Sequence, residues 1–228
     1  MQASAFFITG TDTGVGKTIL TASLAAYYQT HYPDGRLGVY KPIQSGVGDR
    51  EYLQTTLKLD QSLEQITPLF FETPVASAIA AQRENKEIDL GLIWQQYQVL
   101  RAEADFLLVE GMGGLGSPIT WEYLVADLAK DWRIPTILVV PVRLGGIGQA
   151  ISNLALANQK QIKILGIVLS CGDSESANYL NDWTPIDLIE NLTNIPVIGV
   201  LPFVSDLSDR AALSQAASQL NLGYIWKI

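Results

Sequence analysis

Apolar positions along the chain fall into short continuous runs, separated by longer stretches in which apolar and polar residues recur at helical spacing. Most of the short runs do not alternate, which is typical of strands that are covered on both faces, as in a parallel sheet. The pattern predicts six strands: Ala5–Thr9, Leu37–Lys41, Phe106–Glu110, Thr136–Val142, Leu165–Ser170 and Val197–Pro202.

The longer stretches between these runs predict helices. Repetition of strand and helix predicts right-handed crossovers and a doubly wound, mostly parallel α/β sheet with helices on both faces. Ligands of such sheets bind beyond the carboxyl ends of the strands. No repeat, low-complexity tract or linker divides the sequence, so we expect residues 1–228 to form a single domain. The predicted helices are Lys17–Thr30, Tyr52–Lys58, Leu90–Glu103, Tyr123–Trp132, Gly148–Lys160, Pro185–Asn191 and Ser208–Leu220.

Composition narrows the classes of function. The 228 residues are 48% apolar and 17% charged, which is typical of a folded globular chain. A net charge of -8 argues against a nucleic-acid partner, because such proteins cluster Lys and Arg on one surface. With one cysteine, Cys171, and one histidine, His31, neither an intrachain disulfide nor a zinc site is expected. No run approaches the ~20 apolar residues that cross a bilayer, and no signal-peptide pattern opens the sequence. We therefore expect a cytoplasmic protein without a membrane partner.

A glycine-rich segment, GTDTGVGKT, occupies residues 10–18 between the first predicted strand and the first predicted helix. Glycines let backbone N–H groups converge on an anion, and the start of a helix adds free donors and a positive dipole end. The segment predicts a phosphate loop in which Lys17 reaches the β- and γ-phosphates and the Thr18 hydroxyl ligates Mg²⁺. The generic pattern has glycine where this chain has Thr11, so a glycine-rich turn without a ligand is the alternative. The residues expected on the nucleotide phosphates are Thr13, Gly14, Val15, Gly16, Lys17 and Thr18.

Two charged residues end neighbouring predicted strands. Lys41 precedes Pro42, which has no N–H and disfavours helix for the residue before it, so the strand is expected to stop at Lys41 with an ammonium beside the phosphate loop. Glu110 ends the next strand and suits the metal position that an aspartate usually holds in P-loop enzymes. Asp49 is a second candidate for the same metal. The alternatives are a solvated lysine for Lys41 and a helix N-cap for Asp49.

Taken in order, the segments GTDTGVGKT, KPIQSG, a following aspartate, VEGMGG and LGGIGQA resemble the dethiobiotin synthetase family. The similarity extends along almost the whole chain, to IPVIGVLPF. It implies a P-loop NTPase fold and an ATP-dependent cyclo-ligase of biotin biosynthesis. In the reaction so implied, CO₂ and 7,8-diaminopelargonic acid form a carbamate. ATP then phosphorylates the carbamate to a mixed anhydride, and the second amine closes the ring to dethiobiotin with release of ADP and phosphate.

The resemblance also implies the roles of individual residues. Lys17 and Lys41 are the catalytic cations: Lys17 contacts the phosphates, whereas Lys41 contacts the carbamate together with Ser45. The Mg²⁺ ligands that it implies are Thr18, Asp49 and Glu110.

The same resemblance implies that a second subunit contributes to the site. The family is homodimeric, and the tail carboxylate of the substrate meets the start of a helix in the neighbouring subunit. In this chain that helix start corresponds to Gly146, Ile147 and Gly148, and Tyr179 matches a tyrosine near the tail. A carboxylate is a reasonable ligand for a helix start.

Three positions depart from the family pattern. Met112 replaces the usual alanine of the glycine turn, and Gly148 removes a side chain that often serves the tail. Ser170 stands where an asparagine often reads the adenine edge, and a hydroxyl has fewer fixed donors and acceptors than an amide. Base recognition is therefore expected from Ser170 together with the segment Pro202, Phe203 and Val204.

Two other functions stay open on the sequence alone. A partition-type P-loop ATPase is a nucleotide-dependent switch, but such proteins carry a second lysine where this chain has Asp12. A P-loop ligase that acts on a related diamine is the other possibility.

Overall fold

The computed structural model describes residues 4–225 and contains two parallel sheets. The strands, in chain order, are β1 (Ser4–Gly10), β2 (Leu37–Tyr40), β3 (Ile43–Ser45), β4 (Leu69–Phe71), β5 (Phe106–Gly114), β6 (Thr136–Pro141), β7 (Ile164–Ser170) and β8 (Val197–Leu201). Six of them form the main sheet in the order β2-β5-β1-β6-β7-β8, and β3 pairs with β4 outside it.

Helices connect the strands and cover both faces of the main sheet. Two further 3₁₀ turns cover Ser176–Tyr179 and Leu222–Tyr224. The α-helices are α1 (Lys17–His31), α2 (Asp49–Leu57), α3 (Leu63–Ile66), α4 (Ser77–Glu84), α5 (Leu90–Glu103), α6 (Val125–Trp132), α7 (Gly146–Gln159), α8 (Leu180–Trp183), α9 (Ile186–Thr193) and α10 (Arg210–Ala217). Within residues 4–225, no helix combines the length and apolar character needed to cross a membrane.

Alternate residues of each strand pack into different layers of the core, as the continuously apolar runs predict. In β6, Ile137 and Val139 pack with α1, α2 and α10 on one face. Leu138 and Val140 pack with α7 and α9 on the other face, where α4, α5 and α6 cover the neighbouring strands. Because water reaches neither face of these strands, no polar alternation is required of them.

The predicted α/β class and all six predicted strands of the main sheet are confirmed, although some bounds differ. The strand predicted to end at Glu110 continues to Gly114 through the glycine turn, and the helix predicted from Gly148 begins at Gly146. The sequence analysis missed β3, β4, α3, α4 and α8, each of which has eight residues or fewer. The single domain stays a prediction, and residues 1–3 and 226–228 of its range lie outside the described part.

The edge strand β2 is covered by a side chain instead of another strand. The Gln61 side-chain amide donates to the Val39 carbonyl oxygen at 3.0 Å and accepts from the Val39 N–H at 2.9 Å. One residue beyond the strand, the Lys41 N–H donates to the Ile66 carbonyl at 2.8 Å. These bonds continue the hydrogen-bonding edge of β2 and fix the backbone from which the Lys41 side chain projects.

Candidate active site

Three neighbouring strands bring the predicted site residues to the same edge of the sheet. β5 lies between β2 and β1, with Tyr40 opposite Val109 and Ile8 opposite Glu110. β2 therefore delivers Lys41 beside Glu110, and β1 leads directly into the phosphate loop on the other side. The carboxyl ends of parallel strands share one edge, which is why residues distant in sequence meet here.

The phosphate loop has the backbone that its glycines predict. Gly14 and Gly16 adopt φ angles of +71° and +98°, a region that other residues enter at a cost. At Gly10 a Cβ would lie 2.4 Å from a methyl of Val15, so only glycine lets the loop fold back over the strand end. The Val15 side chain is buried in the core, so only its backbone is available to a ligand.

Glu110 accepts hydrogen bonds from two other site residues through a single oxygen. Its Oε1 accepts from the Thr18 hydroxyl at 2.8 Å and from the Lys41 ammonium at 2.6 Å. The same ammonium lies 2.6 Å from Oδ2 of Asp49. Glu110 is 1% exposed and Lys41 is 4% exposed, so both charges lie in a setting where pairing is required.

The two lysines respond to this setting in opposite directions. Burial lowers the pKa of Lys17 from 10.5 to about 8, and the nearby Lys41 adds to the effect while Glu110 opposes it. Burial also disfavours the ammonium of Lys41, but the carboxylates of Glu110 and Asp49 outweigh it and raise the pKa of Lys41. Lys41 is therefore a fixed cation, whereas Lys17 depends on an anionic ligand for its full charge.

The donor set at this point suits Mg²⁺, which prefers oxygen ligands and is often held by one or two carboxylates together with substrate phosphates. Thr18, Asp49 and Glu110 supply oxygens within one hydrogen-bonded cluster. Oε2 of Glu110 is buried and has no hydrogen-bond partner within the described part of the chain. Among residues 4–225, no cluster of three or more His, Cys, Asp or Glu side chains offers a different kind of metal site.

A cleft of about 660 Å³ opens over the loop and the two lysines. Its volume lies in the range of small-molecule sites. Its lining includes the apolar side chains of Ile43, Val75 and Met112, which belong to one hydrophobic cluster. The predicted residues that line it are Thr13, Gly14, Gly16, Lys17, Thr18, Lys41, Ser45 and Asp49.

Other predicted residues lie outside this cleft lining. The Ser170 hydroxyl packs against the phosphate loop. Its Oγ is so close to Gly16 that a Cβ added to that glycine would lie only 2.3 Å away. After the end of β8, Pro202 is half-buried, Phe203 is exposed and Val204 is buried in the core. The cleft lining also excludes the first turn of α7, which contains Gly146, Ile147 and Gly148. Tyr179 is exposed and does not line the cleft either.

The alternative role of Asp49 as a helix N-cap is wrong. α2 begins at Asp49 with Gly48 as its N-cap, and the Gly48 N–H donates to Glu51 at 3.0 Å. Gln44 orders the preceding turn, since it donates to the Gly46 carbonyl and accepts from the Arg50 N–H. The Asp49 carboxylate is thereby left to bind Lys41.

The sequence analysis missed three contributors to the site. Ser117 lines the cleft and accepts a hydrogen bond from the Gly114 N–H at 3.0 Å, and the segment 74–76 also lines the cleft. Asn153, in α7, accepts a hydrogen bond from the Leu115 N–H and donates one to the Thr11 carbonyl. Ser117 could have been predicted from its position just after the glycine turn. The segment 74–76 and Asn153 reach the site only through tertiary contacts.

Comparison with known proteins gives a consistent result. The family described as AAA domain matches residues 4–211. The ATP-dependent dethiobiotin synthetase BioD of Gloeothece citriformis is 52% identical over 96% of this chain and 97% of its own length. The proteins of the same name from Crocosphaera subtropica and Bacillus subtilis subsp. natto are 46% and 31% identical, over 95% and 96% of this chain and 96% of their own lengths.

Solved structures agree on the architecture. The MinC:MinD cell division protein complex of Aquifex aeolicus contains a chain that is similar with a TM-score of 0.60 at 15% identity, over 99% of this chain and 95% of that one. A ParA family ATPase from Chlorobium tepidum gives a TM-score of 0.58 at 14% identity, over 98% and 93%. At such identities the likeness establishes the P-loop NTPase fold alone.

Proposed function

Because this chain belongs to the ATP-dependent dethiobiotin synthetase family, it is an enzyme of biotin biosynthesis that closes a ring at the expense of ATP, and we propose how its residues do so. The substrates are 7,8-diaminopelargonic acid, CO₂ and ATP. One amine of the diamine adds to CO₂ and loses a proton to form a carbamate. A carbamate oxygen then attacks the γ-phosphorus of ATP, which displaces ADP and gives a carbamic–phosphoric anhydride. The second amine then attacks the carbonyl carbon, and phosphate leaves.

The observation that carries this proposal is the convergence of Lys17, Thr18 and Lys41 on one cleft. A carbamate is already a nucleophile, so phosphoryl transfer requires positioning and positive charge more than a general base. The two ammonium groups that line the cleft, those of Lys17 and Lys41, supply that charge. The apolar wall formed by Ile43, Val75 and Met112 suits the alkyl chain of the substrate.

Lys41 and Ser45 have the properties that a carbamate site requires. Lys41 is held between Glu110 and Asp49, so its ammonium stays charged and its position is fixed before any substrate binds. The Ser45 hydroxyl is buried and makes no hydrogen bond to the rest of residues 4–225, which leaves it available to donate to a carbamate oxygen.

Mg²⁺ belongs to the proposal through the oxygens of Thr18, Asp49 and Glu110, which would hold it. When bound, the ion neutralises charge on the phosphates of ATP during transfer. The protein's own contribution is to keep these oxygens together: Thr18 and Lys41 orient one oxygen of Glu110 and leave the other free.

We propose further that the enzyme acts as a homodimer, in which the first turn of α7 receives the tail carboxylate of the substrate bound to the partner. Three features support this. The turn does not line the cleft of its own chain, and a Cβ added at Gly148 would meet no atom within 4 Å. Leu144, just before the turn, is 81% exposed, as expected of a residue that a second subunit covers.

A reconstituted assay tests the proposed reaction. Enzyme, 7,8-diaminopelargonic acid, bicarbonate, Mg²⁺ and ATP should give dethiobiotin, ADP and phosphate in equal amounts, followed by mass spectrometry and phosphate release. Omission of the diamine, bicarbonate or Mg²⁺ should each stop ring formation. Phosphate release without a cyclic product would instead favour a nucleotide-dependent switch, and product from another diamine alone would identify a different substrate.

Nucleotide binding should be accompanied by the uptake of about half a proton per site near pH 8. The pKa of Lys17 is lowered to about 8 by burial, so about half of its side chains are neutral at that pH. Phosphates favour the ammonium and raise this pKa, so binding draws a proton and the affinity falls as pH rises above 8. Calorimetric titration of ADP in two buffers of different ionisation enthalpy measures the uptake. Lys17→Met is the control, and equal uptake in both proteins would contradict the assignment.

Ser170→Asn should sharpen the preference for ATP over CTP and GTP. Ser170 is at the end of β7 against Gly16, and an amide there offers a fixed donor and acceptor to a base edge. The ratio of kcat/KM values for the three nucleotides checks this, with Ser170→Ala as the control that removes the hydroxyl alone. Unchanged ratios would mean that the base is read by other groups.

A further inference from the structure

One side chain of α7 links three separate segments of the site. The carboxamide oxygen of Asn153 accepts from the Leu115 N–H at 3.0 Å. Its NH₂ group donates to the Thr11 carbonyl at 3.3 Å and to the Gln149 carbonyl, one turn earlier in α7, at 3.0 Å. The side chain is half-buried and does not line the cleft.

Each of these segments carries a different part of the machinery. Thr11 opens the phosphate loop, and Leu115 closes the glycine turn that follows Glu110. Gln149 belongs to the helix whose start is the proposed tail site. The phosphate loop, the glycine turn and Asn153 are in close contact. A Cβ on Gly114 would lie 2.8 Å from the Thr11 carbonyl oxygen and 3.0 Å from the carboxamide oxygen of Asn153.

The contacts require an amide in one orientation. Leu115 offers a donor and Thr11 offers an acceptor, so a rotated amide would place like groups against each other. A carboxylate would keep the bond from Leu115 but would oppose the Thr11 carbonyl, and alanine would lose both. Asparagine is also a poor helix former, so its place inside α7 needs such a reason.

We propose that Asn153 is a positioning residue, which sets the phosphate loop and the glycine turn at a fixed spacing from α7. Its side chain does not line the cleft, so it would act on nucleotide and diamine through the segments that it holds. Its effect on ring closure rests on the proposed function, whereas its effect on nucleotide binding does not. In the proposed dimer, the same side chain connects the phosphate loop of one protomer to the tail site that serves its partner.

The test compares wild type with Asn153→Ala, Asn153→Asp and the control Asn158→Ala, an exposed asparagine on the same helix. We expect Asn153→Ala to raise the Kd for ADP and to lower kcat by about tenfold each, the equivalent of one or two lost hydrogen bonds. Asn158→Ala should match wild type. Thermal unfolding of each variant shows how much folded protein is present in each titration.

The aspartate variant gives a second measurement, the pH dependence of ADP affinity, which a loss of stability alone would not change. At pH 8 its carboxylate should weaken ADP binding more than alanine does. The carbonyl oxygens of Thr11 and Gln149 face this position, and their repulsion of a carboxylate raises the pKa of the introduced carboxyl. As pH falls toward 5 the carboxyl takes up a proton and can donate to Thr11, so affinity relative to wild type should recover, while that of Asn153→Ala stays constant. A wild-type Kd and kcat in Asn153→Ala would overturn the proposal, and so would an Asn153→Asp variant that binds ADP at pH 8 as tightly as wild type. If wild type binds ADP but makes no dethiobiotin, the proposed function fails and the ADP measurements still decide this inference.

Discussion

Replacement of Lys17 by alanine should lower the rate of ATP-dependent ring closure by roughly three orders of magnitude. Lys17 is 6% exposed and its ammonium lies 2.7 Å from the Asp12 carbonyl, within the loop that would surround the phosphates. Among the described residues, Lys17 and Lys41 are the cations that line the cleft, and Lys41 is already paired with Glu110 and Asp49. The developing charge on the γ-phosphoryl group would therefore lose its nearest protein donor.

Lys17→Met separates charge from packing, because methionine keeps most of the apolar stem. Both variants should fold normally and show weakened ADP binding in calorimetric titration. The control is Lys163→Met, which removes an exposed lysine next to β7. Full turnover in Lys17→Met would show that this loop does not act on the phosphates and would remove the basis of the proposed mechanism.

Replacement of Lys41 should damage turnover by about two to three orders of magnitude while leaving ADP affinity nearly unchanged. In the proposed reaction Lys41 contacts the carbamate and the γ-phosphoryl group during its transfer, and ADP contains neither of them. A residue that acts at this stage contributes to kcat more than to ground-state binding. Single-turnover phosphate release, measured beside a calorimetric titration of ADP, distinguishes the two effects.

The buried carboxylate of Glu110 complicates the simple alanine variant. Loss of the Lys41 ammonium leaves Glu110 at 1% exposure without its cationic partner, and breaking a buried pair in this way costs about 3–5 kcal/mol. The double variant Lys41→Met/Glu110→Gln removes both charges and should regain much of that stability. It should still be inactive; an active double variant would mean that Lys41 serves the fold and not the reaction.

Much of the site could be predicted because its signals are local. The phosphate loop is read from one continuous segment between a strand and a helix, and Lys41 and Glu110 each follow an apolar run. Their meeting also follows from the sequence, once the runs are interpreted as parallel strands whose carboxyl ends share an edge. Strand order and the register of Tyr40 with Val109 were beyond this reasoning, since nothing local encodes which strands are neighbours.

The parts that were missed depend on contacts between distant segments. β3 and β4 have three residues each, too few for a periodic pattern, yet they hold Ser45 at the cleft. Asn153 resembles any polar residue of an amphipathic helix until its partners at Thr11 and Leu115 are known. For Asp49, the sequence could not distinguish the first helical residue from the N-cap, because the choice depends on the φ angle of Gly48.

The Gln61 amide against Val39 has a consequence for how these molecules behave at high concentration. An outer strand with free N–H and C=O groups invites strands of other chains, the usual first step of edge-to-edge aggregation. Here the two backbone groups at the centre of that strand are already occupied by an internal side chain. Another chain could extend the sheet at this edge only after it had displaced Gln61. The side chain therefore protects edge strand β2, which leads into Lys41, from pairing with strands of other molecules.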